Sequence, residues 1–261
     1  MNISKNFKKF FDRTNIKNDI NQILEYIGKP IHTDKYLKVD NLDDISNYYF
    51  PCYENIFRFA NFDINNIKYV VLGMDPYPSY YIENDLIKPV ATGRSFEVSS
   101  ISSWKQKTKQ ASFNNILKSL YYNVTGKTDD IETIRNKLIE DNDYNEIFPR
   151  ITDKTENKML FASPCRWFDN MENKGVMWLN ATLTVKPNNP DSHTAYWKNF
   201  MDELICYIIE NNKNIKWLIF GNKAKERVEK FVDRKNMYIT CHPASRFNNT
   251  FIKDNIFKYI K

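Results

Sequence analysis

The sequence predicts an α/β protein whose central, parallel, four-stranded sheet is flanked by helices in a three-layer sandwich. Four short apolar runs have the length and composition of strands that are buried on both faces. Segments with apolar residues at helical spacing lie around and between these runs, and strands that alternate with helices are typical of a parallel sheet. The four predicted strands are 68–72, 176–179, 216–220 and 237–241.

The predicted helices each carry one apolar face. The first, 18–27, repeats isoleucine and leucine at helical spacing, and the second begins near Phe113 and stops at Gly126. The remaining predicted helices are 201–209, 223–232 and 251–260. No repeat or linker divides the chain, and 261 residues are enough for one α/β domain, so we expect a single domain over 1–261.

Polar residues follow three of the predicted strands directly. Gly73 and Pro76 force a turn after the first strand and place Asp75 and Tyr77 at its carboxyl end, where open α/β sheets bind ligands. Taken alone, an Asp-Pro turn fits a solvated surface equally well. One of the three histidines of the chain, His242, follows the fourth predicted strand. The second predicted strand delivers an asparagine, Asn180, to the same edge.

Six segments in collinear order resemble the motifs of the family 1 uracil-DNA glycosylases. The resemblance runs from about Tyr49 to Phe257, and Asp-Pro-Tyr-Pro with His-Pro-Ala-x-Arg looks closest to the poxvirus-type members. The segments are the turn after the first strand (73–78), the uracil-stacking segment (91–98), the segment that holds the DNA backbone (111–116), the strand motif 178–184 with Ser192-His193 after it, the Gly-Ser loop (220–222) and the His-Pro loop (242–247).

Three residues depart from the family pattern. Pro78 stands where the family closes its first motif with histidine, and Asn222 stands in place of the serine of the Gly-Ser loop. Arg246 replaces the leucine that wedges into DNA, and a guanidinium there can stack or grip a phosphate instead.

The resemblance implies a monofunctional glycosylase that flips deoxyuridine out of DNA and hydrolyses its glycosidic bond during base excision repair. Asp75 would assist the attacking water and His242 would stabilise the uracil anion. The other implied roles are the uracil pocket for Met74, Tyr77, Phe96 and Asn180, and DNA binding for Ser112, Gly221, Asn222, Pro243, Ala244, Ser245 and Arg246. Taken singly, Phe96 could be core, Asn180 a strand-end turn and Tyr77 a packed surface aromatic.

Composition restricts the possible partners and cofactors. The formal net charge of +6 permits a polyanion partner, and Lys105, Lys107 and Lys109 cluster just before Ser112. The four cysteines are dispersed without a Cys-x-x-Cys motif, so we expect no zinc or iron-sulfur site. The resemblance implies no metal and no organic cofactor. No apolar stretch reaches membrane-spanning length and no secretory signal is visible at the N-terminus. We expect a cytoplasmic protein of bacterial or viral origin, with the nucleus as an alternative.

The stretch 127–162 is an insertion relative to the family pattern. Asp129 to Glu140 has helical spacing, with Asp129 or Asp130 near its start. The insertion is either a surface decoration or a docking arm for a replication or polymerase partner. Other expected partners are single- or double-stranded DNA containing uracil, and inhibitor proteins that mimic DNA. A DNA-binding accessory factor without catalysis is the alternative function, and a glycosylase for another base is a third.

Overall fold

The computed structural model describes residues 3–245 and 250–261. In that part of the chain the strands are β1 (Leu37–Lys38), β2 (Tyr69–Gly73), β3 (Tyr80–Glu83), β4 (Leu86–Pro89), β5 (Leu138–Glu140), β6 (Arg150–Asp153), β7 (Lys158–Phe161), β8 (Val176–Asn180), β9 (Lys216–Phe220) and β10 (Met237–Thr240). The α-helices are α1 (Lys5–Phe11), α2 (Thr14–Tyr26), α3 (Ala111–Thr125), α4 (Ile131–Lys137), α5 (Pro164–Asn173), α6 (Thr194–Asn211), α7 (Asn222–Val228) and α8 (Thr250–Asp254). Short 3₁₀ helices cover Val39–Asn47, Tyr53–Asn55, Arg58–Asn61, Ile64–Asn66, Arg234–Asn236 and Ile256–Tyr259.

The central sheet has the strand order β10-β9-β2-β8, and all its neighbouring strands are parallel. The four predicted strands are confirmed, with ends that differ by single residues at most. Parallel pairing brings the carboxyl ends of all four strands to one edge. Gly73 lies opposite Asn180 there, and Thr240 lies opposite Phe220.

Both faces of this sheet are buried, as the predicted three-layer sandwich requires. Side chains alternate along β2, so that Val70 and Leu72 join one apolar cluster while Tyr69 and Val71 join another. Helices α1, α2, α6 and α7 cover the first face. Helices α3, α4, α5 and α8 cover the second.

The predicted helices are present in α2, α3, α6, α7 and α8, although α7 ends earlier than predicted, at Val228. The helix predicted for 251–260 is too long, because α8 ends at Asp254, Asn255 takes the left-handed conformation and a 3₁₀ helix follows. Gly126 ends α3 in the left-handed conformation with φ of 67°, and its N–H bonds the carbonyl of Tyr122. Glycine adopts this conformation without steric cost, which explains why the sequence signal for the helix end was reliable.

The helix predicted for 129–140 is too long. Asp130 caps α4 by accepting hydrogen bonds from the N–H groups of Glu132 and Thr133, but the helix stops at Lys137. Residues Leu138–Glu140 instead form β5, which pairs in parallel with β7, while β6 pairs antiparallel with β7. A Leu-Ile-Glu sequence fits either state locally, and pairing with a strand about twenty residues further along decides it.

The insertion contributes directly to the second apolar cluster. Ile134, Leu138, Met159 and Phe161 are all buried in it, with exposed fractions of 2% or less. The segment is therefore an integral part of the second core, and the interpretation as a surface decoration is wrong.

A second small sheet, β1-β4-β3, is antiparallel and was not predicted. Its β3-β4 hairpin turns through Asn84 and Asp85, which have positive φ values of 51° and 60°. These are the residue types that tolerate that conformation in two-residue hairpins. Among the helices in the described part of the chain, none has the length and apolarity needed to cross a membrane.

Candidate active site

A cavity of about 120 Å³ opens at the carboxyl edge of the central sheet. Its small volume suits a single flat ring rather than a large ligand. Turns after β2, β8 and β10 supply most of its wall, so the parallel topology brings together residues that are far apart in the sequence. The lining residues are Met74, Asp75, Pro76, Tyr77, Pro78, Arg94, Phe96, Ser112, Asn180 and His242.

Asp75 is a half-buried carboxylate in the turn after β2. Its Oδ2 atom accepts a hydrogen bond of 2.8 Å from the backbone N–H of Asp191. Burial raises the pKa of Asp75 above its ordinary value, and the negative charge of Asp191 acts in the same direction. Lys223 partly offsets this rise in the pKa, and it also forms an ion pair of 2.9 Å with Asp191.

His242 presents a defined tautomer to the cavity. Its Nδ1 atom accepts a hydrogen bond of 3.1 Å from the backbone N–H of Ala244, so the ring proton resides on Nε2. Burial lowers the pKa of His242 below its ordinary value, and the ring is therefore neutral at neutral pH. The arrangement leaves Nε2–H as a neutral hydrogen-bond donor.

Asn180 ends β8 with only 4% of its surface exposed. Its amide makes no hydrogen bond to any other residue in the described part of the chain, although it lines the cavity. The amide is therefore free to form hydrogen bonds with a ligand in the cavity. Gly73 makes the position possible, because a Cβ atom there would lie 2.6 Å from Asn180 Oδ1.

Phe96 forms an aromatic wall of the cavity in a strained backbone conformation. Its φ of 66° is rare for a bulky residue, and such strain is found at functional sites. The ring lies 5.1 Å from that of Phe220 and 6.1 Å from that of His242.

The segment that carries Phe96 is held by a buried arginine. Arg94 donates hydrogen bonds to Glu97 at 2.8 Å, to Asp169 at 2.6 Å and to both oxygens of Glu172, at 2.7 and 2.5 Å. Only 4% of Arg94 is exposed, so its charge requires these partners. Two of the three carboxylates lie on α5, 75 and 78 positions away along the chain, and no sequence pattern indicated this network.

Tyr77 and Met74 complete the pocket residues expected from the sequence. Tyr77 is half-buried, and its enclosed hydroxyl faces Ser112 without a well-formed hydrogen bond to it. Burial raises the pKa of this hydroxyl well above its usual range. Met74 lines the cavity and also packs against the first apolar cluster.

The residues predicted to bind DNA lie around the same edge. Ser112 is buried in the first turn of α3 and lines the cavity, while Gly221 and Asn222 form the turn from β9 into α7. Pro243 is buried and its carbonyl accepts a hydrogen bond of 2.6 Å from Asn115. Of the remaining predicted residues, Ala244 is exposed, Ser245 is half-buried, and Arg246 lies outside the described residues.

A wider groove of about 680 Å³ shares Met74 with the cavity. Of the described residues that line it, none is aromatic, and two of its cations, Lys223 and Arg227, already form ion pairs with Asp191 and Asp202. The smaller cavity, with an aromatic face and an unpaired amide, is therefore the better candidate for binding a base.

Within residues 3–245 and 250–261, the ligand atoms of His32, Asp34 and Glu54 lie within 4.8 Å of one another. His32 and Glu54 already pair with each other at 2.7 Å, and none of the three lines the cavity. This hydrogen bond already occupies His32 and Glu54, and we assign no metal to the cluster.

His193, from the Ser-His pair of the resemblance, is a buried structural residue. Its Nδ1 atom lies 2.9 Å from the hydroxyl of Thr184, which accepts a hydrogen bond of 2.7 Å from the indole of Trp197. Burial, aided by the positive charge of Lys186, lowers the pKa of His193 from 6.5 to about 4.

This shift predicts a loss of stability in acid. The unfolded chain binds the proton of His193 at higher pH than the folded protein does, so stability is fully present above pH 6.5 and falls as the pH approaches 4. We expect the free energy of unfolding to fall by about 2–3 kcal/mol more between pH 7.5 and 4.5 in the wild type than in His193→Gln. Denaturant unfolding at both pH values measures this, and equal losses in the two proteins would contradict it.

Sequence comparison relates the chain to bacterial proteins that are all named uracil-DNA glycosylase. No family model matches it. It is 30% identical to the uracil-DNA glycosylase of Borreliella burgdorferi over 213 residues, which cover 80% of this chain and 74% of that protein. The chain belongs to the uracil-DNA glycosylase family. It is also 25% identical to the uracil-DNA glycosylase of Helicobacter pylori over 214 residues, or 81% of this chain and 75% of that one.

Solved structures of the uracil-DNA glycosylase family share the fold. A tyrosine-to-phenylalanine variant of mimivirus UNG, in complex with UGI, matches with a TM-score of 0.60 at 22% identity over 92% of this chain and 70% of that chain. The fold predicted from the sequence is thereby confirmed. Family membership also confirms the prediction of an enzyme of the uracil-DNA glycosylase class.

Proposed function

We propose that this protein hydrolyses the N-glycosidic bond of deoxyuridine in DNA, releasing uracil and leaving an abasic site for base excision repair. The observation that carries the proposal is the amide of Asn180, which is free to bind a ligand in a small cavity that also contains Phe96, Asp75 and His242. An accessory factor that only binds DNA has no need of this combination, so catalysis is favoured over the accessory function.

The proposed substrate is a nucleotide that has left the base stack. A cavity of about 120 Å³ accepts one ring, and an enzyme reaches a base in duplex DNA only by flipping it out. Phe96 would stack on the face of the flipped ring, and its fixed, strained position would keep the ring plane constant.

Asn180 and Tyr77 would select uracil. The amide oxygen of Asn180 can accept a hydrogen bond from uracil N3–H while its NH₂ group donates to O4, whereas cytosine presents the opposite pattern. Tyr77 would lie against C5 and exclude the methyl group of thymine. Release of free base from matched oligonucleotides carrying uracil, thymine or cytosine tests this proposal directly, and equal release of all three would overturn it.

Variants at these two positions should change the choice of base. We expect Tyr77→Ala to gain release of thymine, because the space for the methyl group opens, and Asn180→Asp to shift the enzyme toward cytosine. Tyr77→Phe is the matched control for the first change. It keeps the ring and removes only the hydroxyl, so it should retain uracil selectivity.

Each half of this prediction stands separately. If Tyr77→Ala keeps uracil activity without releasing thymine, Tyr77 is not the residue that excludes thymine. Full uracil selectivity in Asn180→Asp would remove the assigned role of that amide.

In the proposed chemistry, one residue stabilises the positive charge that develops on the sugar and another stabilises the negative charge that develops on uracil. Asp75 would orient the attacking water and stabilise the cationic sugar, while His242 would donate from Nε2 to uracil O2 as negative charge develops there. A neutral imidazole suffices for this second role, which agrees with the lowered pKa of His242. The reaction proposed in this way uses neither a metal nor an organic cofactor.

The surroundings of the cavity would hold the DNA backbone. We propose phosphate contacts for Ser112, Gly221, Asn222 and Ser245, with Pro243 and Ala244 shaping the loop. Arg246, in place of a wedging leucine, would act mainly through its charge. Arg246 and Pro78 both support the proposal that the motifs of this chain are most similar to those of the poxvirus-type members.

The domain organisation, location and partners of the enzyme are also proposals. We propose a single domain over 1–261 that acts in the cytoplasm on single- or double-stranded DNA. A protein that mimics DNA would bind the same edge, by analogy with the complex of mimivirus UNG with UGI. A replication or polymerase partner of the insertion 127–162 remains a proposal from the sequence alone.

A further inference from the structure

Residues 102–110, which we call the lysine loop, connect the stacking segment to α3. Lys105, Lys107 and Lys109 are all exposed on it, and Ser112 follows in the first turn of α3. The loop contains no helix or strand. Three closely spaced cations on a loop that leads into the wall of the cavity can bind successive DNA phosphates. This requires that the loop is held in place.

Trp104 anchors the lysine loop in the second core. The residue is fully buried, and its ring stacks on Phe113 of α3 at 4.5 Å with an interplanar angle of 21°. It also stacks on Phe161 of the insertion, at 5.8 Å.

Every polar group of Trp104 is paired with the insertion 127–162. Its backbone N–H donates to Glu140 at 2.6 Å, its carbonyl accepts from Arg135 Nε at 3.1 Å, and its indole N–H donates to the carbonyl of Ala162 at 2.9 Å. The second carboxylate oxygen of Glu140 accepts a hydrogen bond from the hydroxyl of Ser103. The carboxylate therefore holds two successive residues of the lysine loop.

Arg135 extends the connection to the far end of the loop. Its Nη2 atom donates to Asn114 Oδ1 at 2.9 Å, and the amide of Asn114 donates in turn to the carbonyl of Thr108 at 3.2 Å. The arginine is 5% exposed, and Glu132 neutralises it at 2.8 Å. The insertion thus holds the lysine loop at Trp104 and at Thr108, close to its three lysines.

We infer that the insertion positions the lysine loop for DNA binding, with Glu140 and Arg135 as positioning residues that present the three lysines to backbone phosphates. The inference rests on the proposed function. The insertion acts here on a DNA-binding loop of its own chain.

The loss of the charge of Glu140 and the loss of its hydrogen bonds should have opposite effects on the DNA affinity of Glu140→Ala. Removal of a negative charge near DNA strengthens binding if charge alone matters. Loss of the two hydrogen bonds releases the loop and weakens binding. Glu156→Ala is the matched control, because it removes the same charge from an exposed site on the insertion where the side chain pairs with Lys158. Glu140→Gln should rescue the geometry, since its amide can accept from Trp104 N–H and donate to Ser103.

The test measures binding of undamaged single-stranded DNA against salt, together with KM and kcat for uracil release. We expect Glu140→Ala to bind several-fold more weakly and to raise KM, with kcat within about twofold of the wild type. Glu140→Gln and Glu156→Ala should bind no more weakly than the wild type. Replacing all three lysines by glutamine should lower the salt slope by about 0.7 for each phosphate that the variant no longer neutralises.

Three results would overturn the inference. They are wild-type or tighter binding by Glu140→Ala, a decrease of kcat in that variant without any change in KM, and an unchanged salt slope in the triple lysine variant. Because binding is measured on undamaged DNA, failure of the proposed function is distinguishable. A wild type that binds with the expected slope but releases no uracil would contradict the glycosylase proposal and leave the loop inference standing.

Discussion

Asp75→Asn should lower the rate of uracil release on the order of 10²–10⁴-fold, the range typical for the loss of a group that assists proton transfer. The amide cannot carry the charge that would stabilise the cationic sugar, yet its oxygen can still accept the hydrogen bond from Asp191. Single-turnover kinetics on single-stranded DNA containing uracil measure the effect. A rate near that of the wild type would show that the carboxylate does not take part in the reaction.

The same substitution should not reduce stability at neutral pH. The pKa of Asp75 is raised in the folded protein, so the folded state binds this proton more tightly than the unfolded chain does. Its contribution to stability is therefore lost as the pH rises above the ordinary carboxyl pKa, and a neutral asparagine avoids that loss. We expect the free energy of unfolding of Asp75→Asn at pH 7 to equal or exceed that of the wild type. A clear decrease would contradict the account of Asp75 as a desolvated carboxylate.

His242→Ala should cost about 10²–10³-fold in kcat, as expected for the loss of one donor to a developing oxyanion. His242→Gln offers an amide donor on a side chain of similar reach and should recover part of the rate. Single-turnover kinetics of the three proteins under identical conditions check the order wild type, then Gln, then Ala. Equal rates in the wild type and His242→Ala would remove this residue from the mechanism.

The pH profile provides an independent check on His242. Its pKa is lowered, so the rate should show no break near pH 6.5, where an ordinary histidine titrates. The acid limb should instead include protonation of Asp75, whose pKa lies above its ordinary value. The rate of uracil release measured as a function of pH checks this, and a break at pH 6.5 would contradict it.

The sequence was informative where one local signal determines the structure. The apolar runs that end in Gly73 and Asn180 are too short for helices and too apolar for surface strands, so they were recognisable as central strands. Gly126 was recognisable as a helix end, and Asp130 as one of two candidate helix caps, because backbone conformation and side-chain chemistry restrict those positions.

The features that escaped prediction depend on contacts between distant residues. Glu140 is in a strand because β7 pairs with it, although its own neighbourhood also fits a helix. The backbone N–H of Asp191 donates a hydrogen bond to Asp75, which is 116 positions away in the sequence. The two carboxylates of α5 that bind Arg94 are 75 and 78 positions away from it. In each case the chain fold creates the pairing, and no local spacing encodes it.

The most direct test of the central claim is incubation of the wild type with a single-stranded oligonucleotide that carries one uracil, followed by alkaline cleavage. Asp75→Asn and an otherwise identical oligonucleotide with thymine serve as controls. We predict strand cleavage at the uracil position with the wild type and little or none with Asp75→Asn over the same short incubation, because the variant should create abasic sites on the order of 10²–10⁴ times more slowly. Intact uracil-containing strands after incubation with folded wild-type protein would contradict the assignment as a uracil-DNA glycosylase.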